Sequence, residues 1–228
     1  MKLAVFDIDG TLTRGDGLGT RCFFSAFDEV FGARLVDRTL EGYVESTDCG
    51  IALEAARRHL AREPHPAELE AFQRRYEERF EREVAGHRGS YRPLPGAERL
   101  FSFLEREHGW RVAVATGNWR RPAALKLACA GIEAPKVLAG SEDGPNRAGV
   151  LRAAVEAASA GNDGPRVVYV GDRHWDLRAA REVRAGFVGI AGAGRCEVLA
   201  REGAVLVDDY RDAPGFAALL EAALPRST

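Results

Sequence analysis

Three stretches of the chain run apolar for four or five residues and then break into small or acidic polar residues, and this repeated break constrains the fold more than any other feature. Leu3-Ala4-Val5-Phe6 runs into Asp7-Ile8-Asp9-Gly10-Thr11. Arg111-Val112-Ala113-Val114-Ala115 runs into Thr116-Gly117-Asn118, and Val167-Val168-Tyr169-Val170 runs into Gly171-Asp172, with Asp176 four residues further on. Continuous apolar runs of this length, each followed by a helix-compatible segment, predict strands buried on both faces of a parallel α/β sheet. Ligands of such sheets bind beyond the carboxyl ends of the strands, so the three polar ends are expected to converge. Phe187 to Ile190 and Ala204 to Val207 are read as a fourth and a fifth strand, the latter ending in Asp208-Asp209, acids that suit a helix start better than catalysis.

Two carboxylates at the end of a buried strand are costly unless chemistry uses them. Residues two apart on an extended chain point the same way, so Asp7 and Asp9 would share one site if strand geometry held through Asp9. Close anions raise each other's pKa unless a cation or hydrogen bonds offset the repulsion, which makes a bound metal the natural completion.

Between Thr11 and the region near Gly96 the character changes. Helical patterns cover Arg21 to Phe31, Ile51 to Ala61 and the charged stretch Ala67 to Val84, where Leu69, Phe72, Tyr76 and Phe80 form an apolar stripe read as core packing. Gly15, Gly17 and Gly19 lead into this segment, and Gly86 to Pro95 lead out of it, as two hinge connections. Gly15 to Gly19 lacks the spacing of a dinucleotide-binding turn. Gly192-Ala193-Gly194-Arg195 is expected to turn the chain after the fourth strand.

Taken in order, DIDGT, ATGN and GDRHWD resemble the motifs of the haloacid dehalogenase superfamily of aspartate-nucleophile phosphohydrolases, over most of the chain. The resemblance implies an α/β fold, a Rossmann-like parallel sheet core of residues 1–14 and 91–228 with an inserted α-helical cap domain at 15–90. It implies that Asp7 is the nucleophile that forms an aspartyl-phosphate and Asp9 the acid/base. Dehalogenases of the superfamily lack that second carboxylate, so its presence points to phosphoryl transfer. Mg²⁺ would be held by Asp7, the Asp9 backbone carbonyl and Asp172, supported by Asp176, for which helix capping is the competing role. Thr116, Gly117 and Asn118 would bind phosphate at a helix N-terminus, in keeping with simple capping there. For the cation of the third motif Arg147 is preferred to Lys136, which lies at the wrong end of the run Val137-Leu138-Ala139.

The family reading makes the chain a phosphatase of small phosphorylated metabolites, phosphoglycolate-like, nucleotide or sugar phosphates. A phosphomutase of the same fold and a silent phosphate-binding module are the alternatives. Phosphonate cleavage is disfavoured, because that branch uses a cap lysine and the only lysines here are Lys2, Lys126 and Lys136. Glu41 to Asp48 resembles a specificity loop of phosphoglycolate-phosphatase-like members, although Thr47 and Asp48 equally suit an N-cap before Ile51. His174, inside the metal motif, is read as lining the entrance.

Net charge is −2 over 228 residues, which gives no broad basic field for nucleic acid. Cys22, Cys49, Cys129 and Cys196 show no metal or disulfide spacing and read as reduced. The start of the chain shows no apolar signal segment, and no run approaches membrane-span length, so a cytoplasmic protein is expected. Oligomeric state is left open.

Overall fold

In a computed structural model the structure describes residues 1–32, 42–44, 46–60, 62–87, 89–159, 164–191 and 196–225. The expected Gly192 to Arg195 turn, and Glu41 and Glu45 of the expected specificity loop, lie outside the described residues. Six strands form one parallel sheet: β1 (Lys2–Phe6), β4 (Arg111–Ala115), β5 (Leu138–Ala139), β6 (Arg166–Gly171), β7 (Gly186–Ile190) and β8 (Val205–Val207), in the order β5-β4-β1-β6-β7-β8. All five expected strands are present, and the run at Val137 supplies the edge strand β5.

The register explains the convergence. Phe6 pairs with Val114 on one side and Val170 on the other, so the three strands end level and deliver Asp7, Thr116 and Asp172 to one rim. β1 lies where the strand order reverses, the position at which open α/β sheets place their ligands.

Alternation along β1 sends Ala4 and Phe6 to one face and Leu3 and Val5 to the other. On the first face Phe6 packs with residues of α4 (Ala97–His108), α5 (Arg120–Cys129) and α9 (Ala213–Ala223), among them Phe101 and Phe216. On the second, α6 (Arg147–Ser159) and α7 (His174–Glu182) bury Leu151 and Ala180. α8 (Cys196–Arg201) joins β7 to β8. Asp212, not Asp208 or Asp209, caps α9 by accepting the Gly215 amide at 3.0 Å, because Asp209 is engaged by Arg211.

The intervening segment forms α1 (Leu18–Phe31), α2 (Asp48–Leu60) and α3 (Pro66–Gly86) around their own apolar cluster. Phe72, Tyr76 and Phe80 are buried at four-residue spacing, as the stripe required, with Leu69, three residues before Phe72, partly covered. Where glycine linkers were expected the chain forms a two-stranded antiparallel ribbon, β2 (Thr13–Gly15) against β3 (Tyr91–Pro93). Trp119, from the loop after β4, enters the helical cluster: its ring stacks on Phe23 and lies 5.3 Å from Tyr76. Among the described residues no helix is long and apolar enough to cross a membrane, and Cys22, Cys49 and Cys129 are free thiols.

Candidate active site

The strand ends at Phe6, so the coincidence of Asp7 and Asp9 does not come from an extended chain. The Ile8 carbonyl accepts the amides of Thr11, Leu12 and Thr13 at 3.2, 2.9 and 2.9 Å, a tight turn completed by Gly10 at φ +83°. A side chain on Gly10 would be strained by that φ and would place its Cβ 2.2 Å from Asp172 Oδ2. Asp7 still continues the ladder, its amide donating to the Val170 carbonyl at 2.9 Å, while Asp9 lies on the turn, bridged to Thr13.

Asp7, Asp172 and Asp176 are all buried, and each offers a carboxylate oxygen within 4.8 Å of the others. Burial, then Asp176 and Asp7, pushes the Asp172 carboxyl up to about 8. Asp7 is also raised, by burial and the neighbouring Asp9 against the opposing pull of Arg147. Burial raises Asp176 to about 7. One oxygen of Asp172, Oδ1, is buried without a hydrogen-bond partner, and its other oxygen lies 3.3 Å from Arg173 Nε. Three clustered carboxylates with raised pKa and an orphaned oxygen suit a hard cation with oxygen ligands. The donor set could hold a metal ion.

Asp176 does two jobs. Its Oδ2 accepts the Arg173 amide at 3.1 Å and caps α7, whereas Oδ1 receives the Tyr169 hydroxyl at 3.2 Å and faces Arg147 Nε at 3.3 Å. Arg147, the first residue of α6, donates from Nη1 to Asp7 Oδ1 at 3.1 Å and is buried. Burial disfavours its charge, yet Asp7 and Asp176 more than offset this and hold its pKa above the ordinary arginine value. Lys136 is exposed just before β5 and takes no part. Thr116 is buried, and its Oγ1 accepts the Asn118 amide at 3.4 Å. Gly117 follows, and a Cβ there would lie 2.3 Å from the Ser46 carbonyl and 3.1 Å from Arg147 Cζ. His174 is exposed at the start of α7.

The helical segment closes on this loop. The Asp48 amide donates to the Gly117 carbonyl at 2.7 Å, Asp48 Oδ2 accepts the Trp119 amide at 2.9 Å, and the Cys49 amide donates to Ser141 Oγ at 2.8 Å. Thr47 takes the capping role, its Oγ1 accepting the Gly50 amide at 3.1 Å. Asp48 does not cap its own helix; it reaches across to the loop, and burial lifts its carboxyl to about 7 against the pull of Lys126. A cavity of about 170 Å³ is lined by Ser46, Asn146, Arg147 and Trp175.

Lys126 was not singled out from the sequence. Its Nζ donates to Asp9 Oδ2 at 2.5 Å and to Asn118 Oδ1 at 2.8 Å, so Asn118 turns its side chain to a lysine. The signal was present: one of three lysines in the chain, set in the apolar run Ala123 to Ala128 on the same face of α5 as Pro122, Ala123 and Leu127.

A family profile described as haloacid dehalogenase-like hydrolase matches residues 4–181. No curated protein sequence gives a significant match. Among solved structures, a hydrolase from Pseudomonas syringae superposes with a TM-score of 0.73 at 20% identity, covering 96% of this chain and 99% of that one. CbbY from Rhodobacter sphaeroides in complex with phosphate gives 0.71 at 24% identity, covering 93% and 96%. A CbbY variant in complex with xylulose-1,5-bisphosphate gives 0.71 at 23%, again covering 93% and 96%.

Proposed function

Because the chain belongs to the haloacid dehalogenase-like hydrolase family, we propose that it is a Mg²⁺-dependent phosphatase of small phosphomonoesters that works through an aspartyl-phosphate at Asp7. The observation that carries this reading is the placement of Asp7 between a buried guanidinium, 3.1 Å away, and the clustered carboxylates of Asp172 and Asp176.

Asp7, Asp172 and the backbone carbonyl of Asp9 would hold the cation, with Asp176 in support. Bound there, Mg²⁺ supplies charge neutralisation for an anionic nucleophile meeting an anionic ester. An Asp7 carboxylate oxygen attacks phosphorus as the bond to the leaving oxygen breaks, and Asp9 gives that oxygen a proton. Asp9, now a carboxylate, takes a proton from the water that attacks the phosphorus of the aspartyl-phosphate, which frees Asp7 and inorganic phosphate. Thr116, the Gly117 and Asn118 amides and Arg147 would orient the phosphoryl oxygens; a guanidinium can grip two at once. Residues 15–90 form the cap in this reading, and closure over the site would expel bulk water. The CbbY complexes with phosphate and a sugar bisphosphate support small phosphorylated metabolites as the substrate class.

The test is phosphate release from a metabolite panel with Mg²⁺, with Asp7→Asn as control. Turnover is expected in the native protein and loss of at least about 10³-fold in the variant, within the span attributed to covalent and acid/base groups acting as a unit. Undiminished turnover by Asp7→Asn excludes the nucleophile.

A further inference from the structure

The proposed reaction asks Asp9 to deliver a proton to one oxygen and later take one from another, yet Asp9 stands on a turn with its side chain 41% exposed. Such a group needs an anchor to be aimed. Lys126 is placed as one: its side chain is only 5% exposed, its Nζ lies 2.5 Å from Asp9 Oδ2 and 2.8 Å from Asn118 Oδ1, and it sits 5.3 Å from the centre of the Tyr91 ring. An ammonium on the buried face of α5 is costly unless paired, and a helix serving only the core would carry leucine or alanine there. The surroundings are fitted to it. Tyr91 Oη accepts the Gly19 amide at 3.1 Å, and a Cβ on Gly19 would stand 3.0 Å from that hydroxyl and 3.7 Å from Lys126 Cε. The cation is held on several sides, and Asp9 is the end that faces the opening.

We propose that Lys126 is the positioning residue of the acid/base Asp9, and that it sets how well the enzyme expels leaving groups that need a proton. Lys126 holds Oδ2, which leaves Oδ1 to carry the proton toward the leaving oxygen. As the P–O bond breaks, that proton passes from Oδ1 to the leaving oxygen, and the negative charge left on Asp9 stands against the ammonium. Lys126 keeps all its protons throughout. The inference rests on the phosphatase reading and adds to it a residue outside the motifs that carry that reading.

The test uses three aryl esters of similar shape, 2,4-dinitrophenyl, 4-nitrophenyl and phenyl phosphate, whose leaving groups need a proton progressively more. The first-turnover release of the phenol is measured for the native protein, Lys126→Met, Lys126→Arg, Asp9→Asn and the Asp9→Asn/Lys126→Met double variant. General acid catalysis contributes about 10²–10⁴-fold, so Lys126→Met is expected to slow phenyl phosphate by at least about 10-fold more than the dinitrophenyl ester. Lys126→Arg should recover part of that ratio, and Lys126→Met should add nothing to it in the Asp9→Asn background. Each ratio is internal to one preparation, so a smaller folded fraction cancels from it. Equal losses on all three esters, or a further change of the ratio in the double variant, overturn the role of Lys126 while the phosphatase reading stands. If the native protein releases neither phenol nor phosphate from any ester, both fall.

Discussion

Replacing Arg147 by methionine should produce a loss of stability that grows with pH. The guanidinium stands 3.1 Å from Asp7 Oδ1 and 3.3 Å from Asp176 Oδ1, and none of the three side chains is more than 9% exposed. At an effective dielectric of about 20, each contact is a Coulomb attraction of roughly 5 kcal/mol, most of it offset by the cost of burying the charges. Removing one partner leaves the others uncompensated, and for buried pairs this costs about 3–5 kcal/mol. That cost requires Asp7 and Asp176 to be ionised. Arg147 lowers the pKa of both against the upward push of burial, so without it the folded chain would retain their protons to a higher pH. Unfolded aspartates release theirs near 3.9, so between that value and the raised folded values the native variant binds more protons than its unfolded chain. Its unfolding free energy therefore falls as pH rises. Urea unfolding in the presence of a chelator, at pH 5.5 and pH 8, should show the deficit relative to the native sequence approaching about 3–5 kcal/mol at the higher pH and clearly smaller at the lower. A deficit equal at both, or below about 1 kcal/mol at pH 8, would refute the argument that this arginine is held by ionised partners.

The metal-free cluster makes a related prediction for the unaltered protein. Burial holds the folded Asp172 and Asp176 carboxyls up at about 8 and about 7, so chelated protein should lose stability as pH rises from near 3.9 toward those values and level off above them, and Mg²⁺ should raise its melting temperature more at pH 8 than at pH 5.5. Calorimetry showing the larger Mg²⁺ effect at the lower pH would contradict the cluster as the cation site. Gly10→Ala must adopt φ +83° with a Cβ 2.2 Å from Asp172 Oδ2. It should cost at least about 1–2 kcal/mol from the backbone alone and weaken Mg²⁺ binding in a calorimetric titration, because the carboxylate must move. Unchanged Mg²⁺ affinity would show that Asp172 is not a ligand.

The sheet was legible because strands buried on both faces are apolar without interruption, and Leu3 to Phe6, Arg111 to Ala115 and Val167 to Val170 show this plainly. Their polar ends meet because the register sets Phe6, Val114 and Val170 level. β2 and β3 were not read as strands, since three residues each are too short to show a period and their pairing spans the whole helical segment. Asp9 was placed by assuming an extended chain, whereas Gly10 and the three amides on Ile8 turn it. Lys126 was missed because its partner is 117 residues away. Only the apolar company of that one lysine hinted at a buried cation, and periodicity alone cannot tell a buried charge with a partner from a surface one.

Trp119 links the loop geometry to any movement of the helical segment. Its indole packs among Phe23, Phe72 and Tyr76 of the helical segment, its Nε1 donates to Cys49 Sγ at 3.0 Å, and its amide is held by Asp48. A side chain of this kind buries about 150–250 Å², and at about 25 cal/mol per Å² its exposure would cost roughly 4–6 kcal/mol. If residues 15–90 open as the proposed cap, lifting away from Trp119 would leave the open form at well under one part in a hundred of the population, before the bonds to Asp48 and Cys49 are counted. A pivot about Trp119, with the paired strands β2 and β3 flexing, avoids that cost. The loop that would hold phosphate would then stay attached to the helical segment while the far side opens, so the bonds that seat α2 also shape the backbone at Gly117. Substitutions at Asp48 or Trp119 are thus expected to alter phosphate binding and the position of the helical segment together.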